Sequence, residues 1–227
     1  MRTVGILGGM GPEATVLLMA RVIAATPARD DHDHIPLIVH QNPQVPSRIR
    51  RLIEGTGDDP APVLAGMARD LERAGAQALA MPCNTAHAYA GAVRGATALP
   101  FLDMRDATVS ALAGAARIGL LASPAVRLTG AFDAAFAQAG MAAVWPADEI
   151  PVLNLIRRVK AGDTGAEARA ALSALAIDMA GQCDRVLIAC TELSLLTADC
   201  PVPFTDSLDC LVDAIRAFAT GADQSSS

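Results

Sequence analysis

Short aliphatic runs and helical stretches alternate along almost the whole chain, and this alternation constrains the fold more than any other feature. Strand-like runs occur at residues 3–7, 36–40, 77–81, 100–103, 117–121, 142–145, 185–189 and 202–205. Helical stretches lie between them at 12–25, 60–73, 125–139, 150–161 and 166–180. A last helix at 208–219 precedes a polar tail, 221–227, expected to fray. Strands separated by helices do not close as hairpins; they pair in parallel, with helices covering both sheet faces. The expected class is therefore α/β.

A duplication lies on top of this pattern. Gly5-Ile6-Leu7 is echoed by Gly119-Leu120-Leu121, each ending a strand before a small-residue turn and a helix opened by Pro12 or Pro124. Cys83-Asn84-Thr85 is echoed by Cys190-Thr191-Glu192, each after an apolar strand, with Gly75 and Gly181 in the preceding turns. Two pseudo-symmetric lobes are expected, each a roughly four-stranded parallel sheet flanked by helices. One comprises 1–103 plus 207–227 and carries Cys83; the other comprises 104–206 and carries Cys190. The chain crosses back near Asp206, so the last helix packs on the first lobe and the active site falls in the cleft.

Composition narrows the partners. Aromatic residues are 3% of a chain that is 52% hydrophobic, so helices must pack on sheets through small side chains at short distances. A net charge of −6 argues against nucleic acid and against an anionic membrane. No apolar run reaches spanning length, and the chain opens directly into a strand with no leader-like segment, which reads as a cytoplasmic protein. The five cysteines show no metal-ligand spacing, so no metal is expected, and Asp30-Asp31-His32-Asp33-His34 reads as a solvated loop. Lys160 is the one lysine in a background of arginines.

In a parallel sheet, ligands bind at the carboxyl ends of strands. Cys83 and Cys190 stand at two such ends, each before a predicted helix start, where free backbone N–H groups favour a thiolate. An ordinary thiol, with a pKa of about 8.5, serves as base or acid once that value moves toward the working pH. Two sulfurs on opposite walls of a cleft suit stereochemical inversion, one removing an α-proton and the other delivering one on the far face. Cys183, Cys200 and Cys210 lack this context and read as small buried hydrophobes. Two other classes stay open. Gly9-Met10-Gly11-Pro12-Glu13-Ala14 fits a dinucleotide fingerprint, although the second strand ends His40-Gln41-Asn42 without the acidic residue that such a site needs for ribose. A non-catalytic binder of small carboxylates is the other.

Three blocks, Val4-Gly5-Ile6-Leu7-Gly8-Gly9-Met10-Gly11-Pro12, Met81-Pro82-Cys83-Asn84-Thr85-Ala86-His87 and Cys190-Thr191-Glu192, resemble the signatures of the aspartate/glutamate racemase family, in order over nearly the whole chain. Asn42-Pro43-Gln44-Val45-Pro46-Ser47-Arg48 resembles the family segment that carries a carboxylate-binding arginine, and Lys160 resembles the lysine of the second lobe. The resemblance implies racemisation of aspartate or glutamate without PLP or any other cofactor, with Cys83 and Cys190 as the two bases. It implies that Asn84, Thr85 and Thr191 hold the α-carboxylate and that Arg48 and Lys160 grip carboxylates from two sides. Gly9 and Met10 would line the floor, with Asn42 and Gln44 beside them. It also implies a homodimer acting on a small amino acid or dicarboxylate. Glu192 is a candidate for orienting the ammonium group, and His87 reads as a histidine hydrogen-bonded to backbone. The chain departs from the family at Ala189, often glycine, and at Ser47, often aspartate. Maleate-type cis–trans isomerases and hydantoin racemases resemble the same plan and remain the nearest alternatives.

Overall fold

A computed structural model describes residues 1–222; the expected tail lies, from residue 223 on, outside the described residues. Two four-stranded parallel sheets are present. The first contains β1 (Val4–Gly8), β2 (Leu37–Gln41), β3 (Ala78–Ala80) and β4 (Phe101–Leu102) in the order β2-β1-β3-β4. The second contains β5 (Arg117–Ala122), β6 (Ala142–Val144), β7 (Arg185–Ala189) and β8 (Phe204–Asp206) in the order β6-β5-β7-β8. The order is the same in both, so the echo between the halves is an echo of topology.

The helices are α1 (Pro12–Ala25), α2 (Arg48–Leu52), α3 (Ala61–Arg73), α4 (Ala90–Arg94), α5 (Met104–Ala111), α6 (Pro124–Leu128), α7 (Asp133–Gln138), α8 (Ile150–Lys160), α9 (Ala166–Ala180) and α10 (Ser207–Thr220). Three of them (α2, α4 and α5) lie outside the helical stretches expected from sequence, because they are too short for periodicity to reveal. The single helix expected over 125–139 is two. Gly130 takes a left-handed φ of +58° between α6 and α7, and only a residue without Cβ adopts that conformation at low cost.

The middle strands are buried along their length: every residue of β1 and β3 is buried, and all of β5 and β7 after the first residue. Such strands read as continuous apolar runs because helices cover both faces. One core cluster joins Val4 and Ile6 of β1 to Leu18 of α1 and to Leu208, Leu211 and Ile215 of α10. The last helix thus packs against the first sheet after its chain has left the second. Met104 at the start of α5 belongs to that same cluster, whereas Leu112 just beyond its end packs with Ile118 and Leu120 of β5, so α5 runs between the two cores.

Candidate active site

A cavity of about 430 Å³ lies at the carboxyl ends of the two sheets. The first half contributes Gly9 to Glu13 from the β1–α1 turn, Pro43, Val45, Ser47, Arg48 and Ile49 after β2, and Cys83 and Thr85 after β3. The second half contributes Ser123 after β5, Ile156 and Lys160 from α8, and Cys190 and Glu192 after β7. Cys83 and Cys190, each 6% exposed, therefore share one cavity from topologically equivalent strands.

The chain after each cysteine is not the α-helix that was expected. Thr85–Tyr89 and Leu193–Asp199 are 3-10 turns. Ala86 N–H donates to the Cys83 carbonyl and Leu193 N–H to that of Cys190, three residues back in each case. Neither turn carries a side-chain cap, and so short a turn leaves a weaker dipole than a full helix provides. The environment of Cys190 is set instead by side chains. Its Sγ–H donates to Glu192 Oε2 at 3.0 Å, while Glu192 Oε1 accepts from Lys160. Burial pushes the Cys190 thiol well up, and the Glu192 carboxylate pushes it further in the same direction. Burial works against the Lys160 charge, but the same carboxylate outweighs it and raises the lysine above its ordinary value. Cys190 is accordingly a protonated thiol at neutral pH.

On the other wall, Arg48 opens α2, with Ser47 as the cap that accepts from Arg50 N–H. The residue at 47 thus does the capping work of an aspartate. Arg48 Nη1 donates to the carbonyls of Val45 and Pro46 at 3.2 and 3.0 Å, and its buried Nε has no partner among the described residues. Gly9 has φ +92°, and a Cβ there would come within 2.4 Å of the Asn42 backbone. The floor turn and the segment that follows β2 are pressed together at a point where only glycine fits.

Four residues singled out from sequence do not line the cavity. Asn42 Oδ1 accepts from Gln44 N–H in a local turn, and Gln44 itself is exposed. Asn84 Nδ2 donates to Ser207 Oγ at 2.8 Å, and Thr191 Oγ1 donates to the Pro82 carbonyl at 3.1 Å. The last bond ties the two cysteine loops directly to each other. His87 is completely buried; its Nδ1 bonds the Cys83 carbonyl at 2.8 Å, and Met104 N–H donates to its Nε2. Burial lowers its pKa to about 4 against the raising effect of Asp103, so it is a neutral strut behind the cysteine. Asp30 and Asp33 form a capping box around an exposed 3-10 turn, and among the described residues no group of three potential ligands surrounds a metal position. Also among them, no helix is long and apolar enough to cross a membrane.

Glu13, Ser123 and Ile156 line the cavity without having been singled out. The duplication carried a signal for Ser123, which follows β5 as Gly9 follows β1; Glu13 had appeared only inside the dinucleotide-like run, and nothing in sequence marked Ile156.

The family model for Asp/Glu/Hydantoin racemase matches residues 7–215. The chain belongs to that family. It is an isomerase, an amino-acid racemase. It is similar to the broad specificity amino-acid racemase RacX of Bacillus subtilis (strain 168), 25% identical over 216 residues that cover 92% of this chain and 94% of the relative. Among solved structures it resembles the Picrophilus torridus aspartate racemase with a TM-score of 0.89 and 29% identity, covering 97% of this chain and 95% of the other. The glutamate racemase of Francisella tularensis shares the fold, with a TM-score of 0.66 at 17% identity over 98% of this chain and 82% of the other.

Proposed function

We propose that the protein racemises aspartate or glutamate by two-base proton transfer between Cys83 and Cys190, without a cofactor. The observation that carries this reading is the approach of two cysteines, from equivalent strands of two like sheets, to one cavity. One sulfur, as thiolate, takes the α-proton; the other, as thiol, delivers its own proton to the opposite face of the carbanion. The product is the mirror-image amino acid, and the two sulfurs have exchanged protonation states. Cys190 rests as the thiol, so it starts as the acid. Arg48 and Lys160 line the cavity and grip the two carboxylates, and preorganised donors stabilise the developing carbanion most strongly in such a partly closed site. Thr85 assists at the α-carboxylate, while Asn84 and Thr191 hold the cysteine loops through Ser207 and Pro82. The lobes divide at 1–103 plus 207–227 and 104–206, and they move together on binding. The enzyme is taken as a cytoplasmic homodimer.

The test is α-proton exchange followed by NMR in D2O, with both enantiomers of aspartate, glutamate and a few neutral amino acids. Exchange with inversion is expected for the wild type and is lost in both Cys83→Ser and Cys190→Ser, since a serine hydroxyl is far too weak an acid to serve as the base near neutrality. Full activity in Cys190→Ser would sink the two-base mechanism. Exchange on hydantoins alone would move the protein to the other branch of its family.

A further inference from the structure

Charge in the cavity is unevenly matched. Lys160 and Glu192 neutralise each other, and each carboxylate oxygen of Glu192 already has a partner. Arg48 and Glu13 line the same cavity with no oppositely charged side chain paired to either among the described residues. Glu13 Oε2 comes to 3.4 Å from the point that a Cβ on Gly11 would occupy, and Glu192 Oε1 reaches to 3.7 Å of the same point from the second half. Both carboxylates therefore face the floor turn, one engaged and one free.

We propose that Glu13 receives the α-ammonium group of the substrate and so restricts the site to free α-amino acids. The inference rests on the racemase reading above and deepens it. An amino-acid head group carries a carboxylate and an ammonium on one carbon, and the two unpaired charges of the cavity, Arg48 and Glu13, match that pair in sign. Glu192 already shares its charge between Lys160 on one oxygen and the Cys190 thiol on the other, so it has less charge than Glu13 to offer an ammonium. Fixing two of the four substituents of the α-carbon leaves its C–H bond to turn toward the sulfurs and the side chain to face Lys160. A hydantoin has no ammonium, and a maleate-type dianion brings only charge that Glu13 repels, so the same carboxylate works against both.

Glu13 also lies in the first turn of α1, where a carboxylate stabilises the helix whatever its other role. The test must separate the two. Wild type, Glu13→Gln and Glu13→Asp are compared for KM and kcat in α-proton exchange of L-aspartate, and for inhibition by succinate, which keeps both carboxylates and lacks the ammonium. Glu13→Gln is expected to raise KM roughly tenfold, with kcat changing less, because a charge-assisted hydrogen bond to bound substrate is lost. Inhibition by succinate should stay constant or tighten. Glu13→Asp recovers part of the loss, and it carries the test alone if the glutamine variant fails to fold. An unchanged KM, or equal weakening of aspartate and succinate, overturns the inference and leaves the racemase reading standing. Absence of exchange by the wild type on every amino acid overturns both.

Discussion

A histidine one turn beyond a cavity cysteine invites a role in proton transfer, and the surroundings of His87 show why it takes another. Both ring nitrogens are engaged by backbone groups on either side of the β3–β4 region, and the ring packs on Phe101 at 5.5 Å. Desolvation outweighs the nearby Asp103 and holds the pKa at about 4, below the ordinary 6.5. The unfolded chain therefore binds a proton between those two values that the folded chain refuses, and stability falls as pH drops through that window. The loss amounts to about 3 kcal/mol once pH reaches the folded value. Urea unfolding at pH 7 and pH 4.5 should show it, and His87→Gln, which does not titrate, should flatten the slope. A slope unchanged in that variant would assign the acid sensitivity to other groups. Asp103 titrates lower still, since Arg105 more than offsets its own burial. Glu192 shows the complementary logic: its two oxygens unite the Cys190 thiol two residues back with the Lys160 ammonium of α8, and the second of these partners is set by the fold alone.

At the scale of elements, Arg21 on α1 holds the crossing chain in place. Its guanidinium reaches Asp206 at the end of β8, Asp209 in the first turn of α10 and the Ser194 carbonyl of the 3-10 turn after Cys190. Asp206 also caps α10 through Leu208 N–H and accepts from Ser194 Oγ. Burial raises the Asp206 pKa in spite of Arg21, so its charge depends on this set of donors. Arg21→Ala leaves a 3% exposed carboxylate without its cation. That should cost about 3 kcal/mol in denaturant unfolding, at the lower end of what breaking a buried pair costs, because Arg21 is itself partly solvated. A cost below ~1 kcal/mol would show the cluster to be a surface pair in its energetics. Lysine at the same position cannot span three acceptors in a plane and should rescue only part of the loss.

At the scale of the whole molecule, α1 stands out for its outer face. Val16 and Ile23 are more than half exposed and Met19 lies between them, at the spacing of one helical stripe, while Leu18 and Val22 bury the opposite side. A helix apolar on both faces is covered in a stable protein. A second copy of the chain is the cover that the proposed homodimer supplies. Sedimentation should therefore return twice the chain mass, and Ile23→Glu should return the single mass; a monomeric wild type would remove the dimer from the proposal.

Alternation of strand and helix, the repeated glycine and cysteine contexts and the odd lysine were legible in the chain, because backbone periodicity and turn chemistry are local. They were enough for the two parallel sheets and for the strand ends that carry Cys83 and Cys190, whereas Arg48 and Lys160 on the cavity wall were expected from the resemblance to the racemase family. Local pattern did not distinguish a 3-10 turn from a helix start after each cysteine, because three-residue and four-residue hydrogen bonds open with the same residues. Gly130 broke a helix that composition favoured throughout. Whether a polar side chain faces a cavity or a neighbouring loop was decided only in three dimensions: Asn84 turned to Ser207, Thr191 to Pro82, and Glu192 to Lys160 and Cys190. Each of those bonds joins elements remote in sequence or settles a charge by its neighbours, and such energies exist only once the chain is folded.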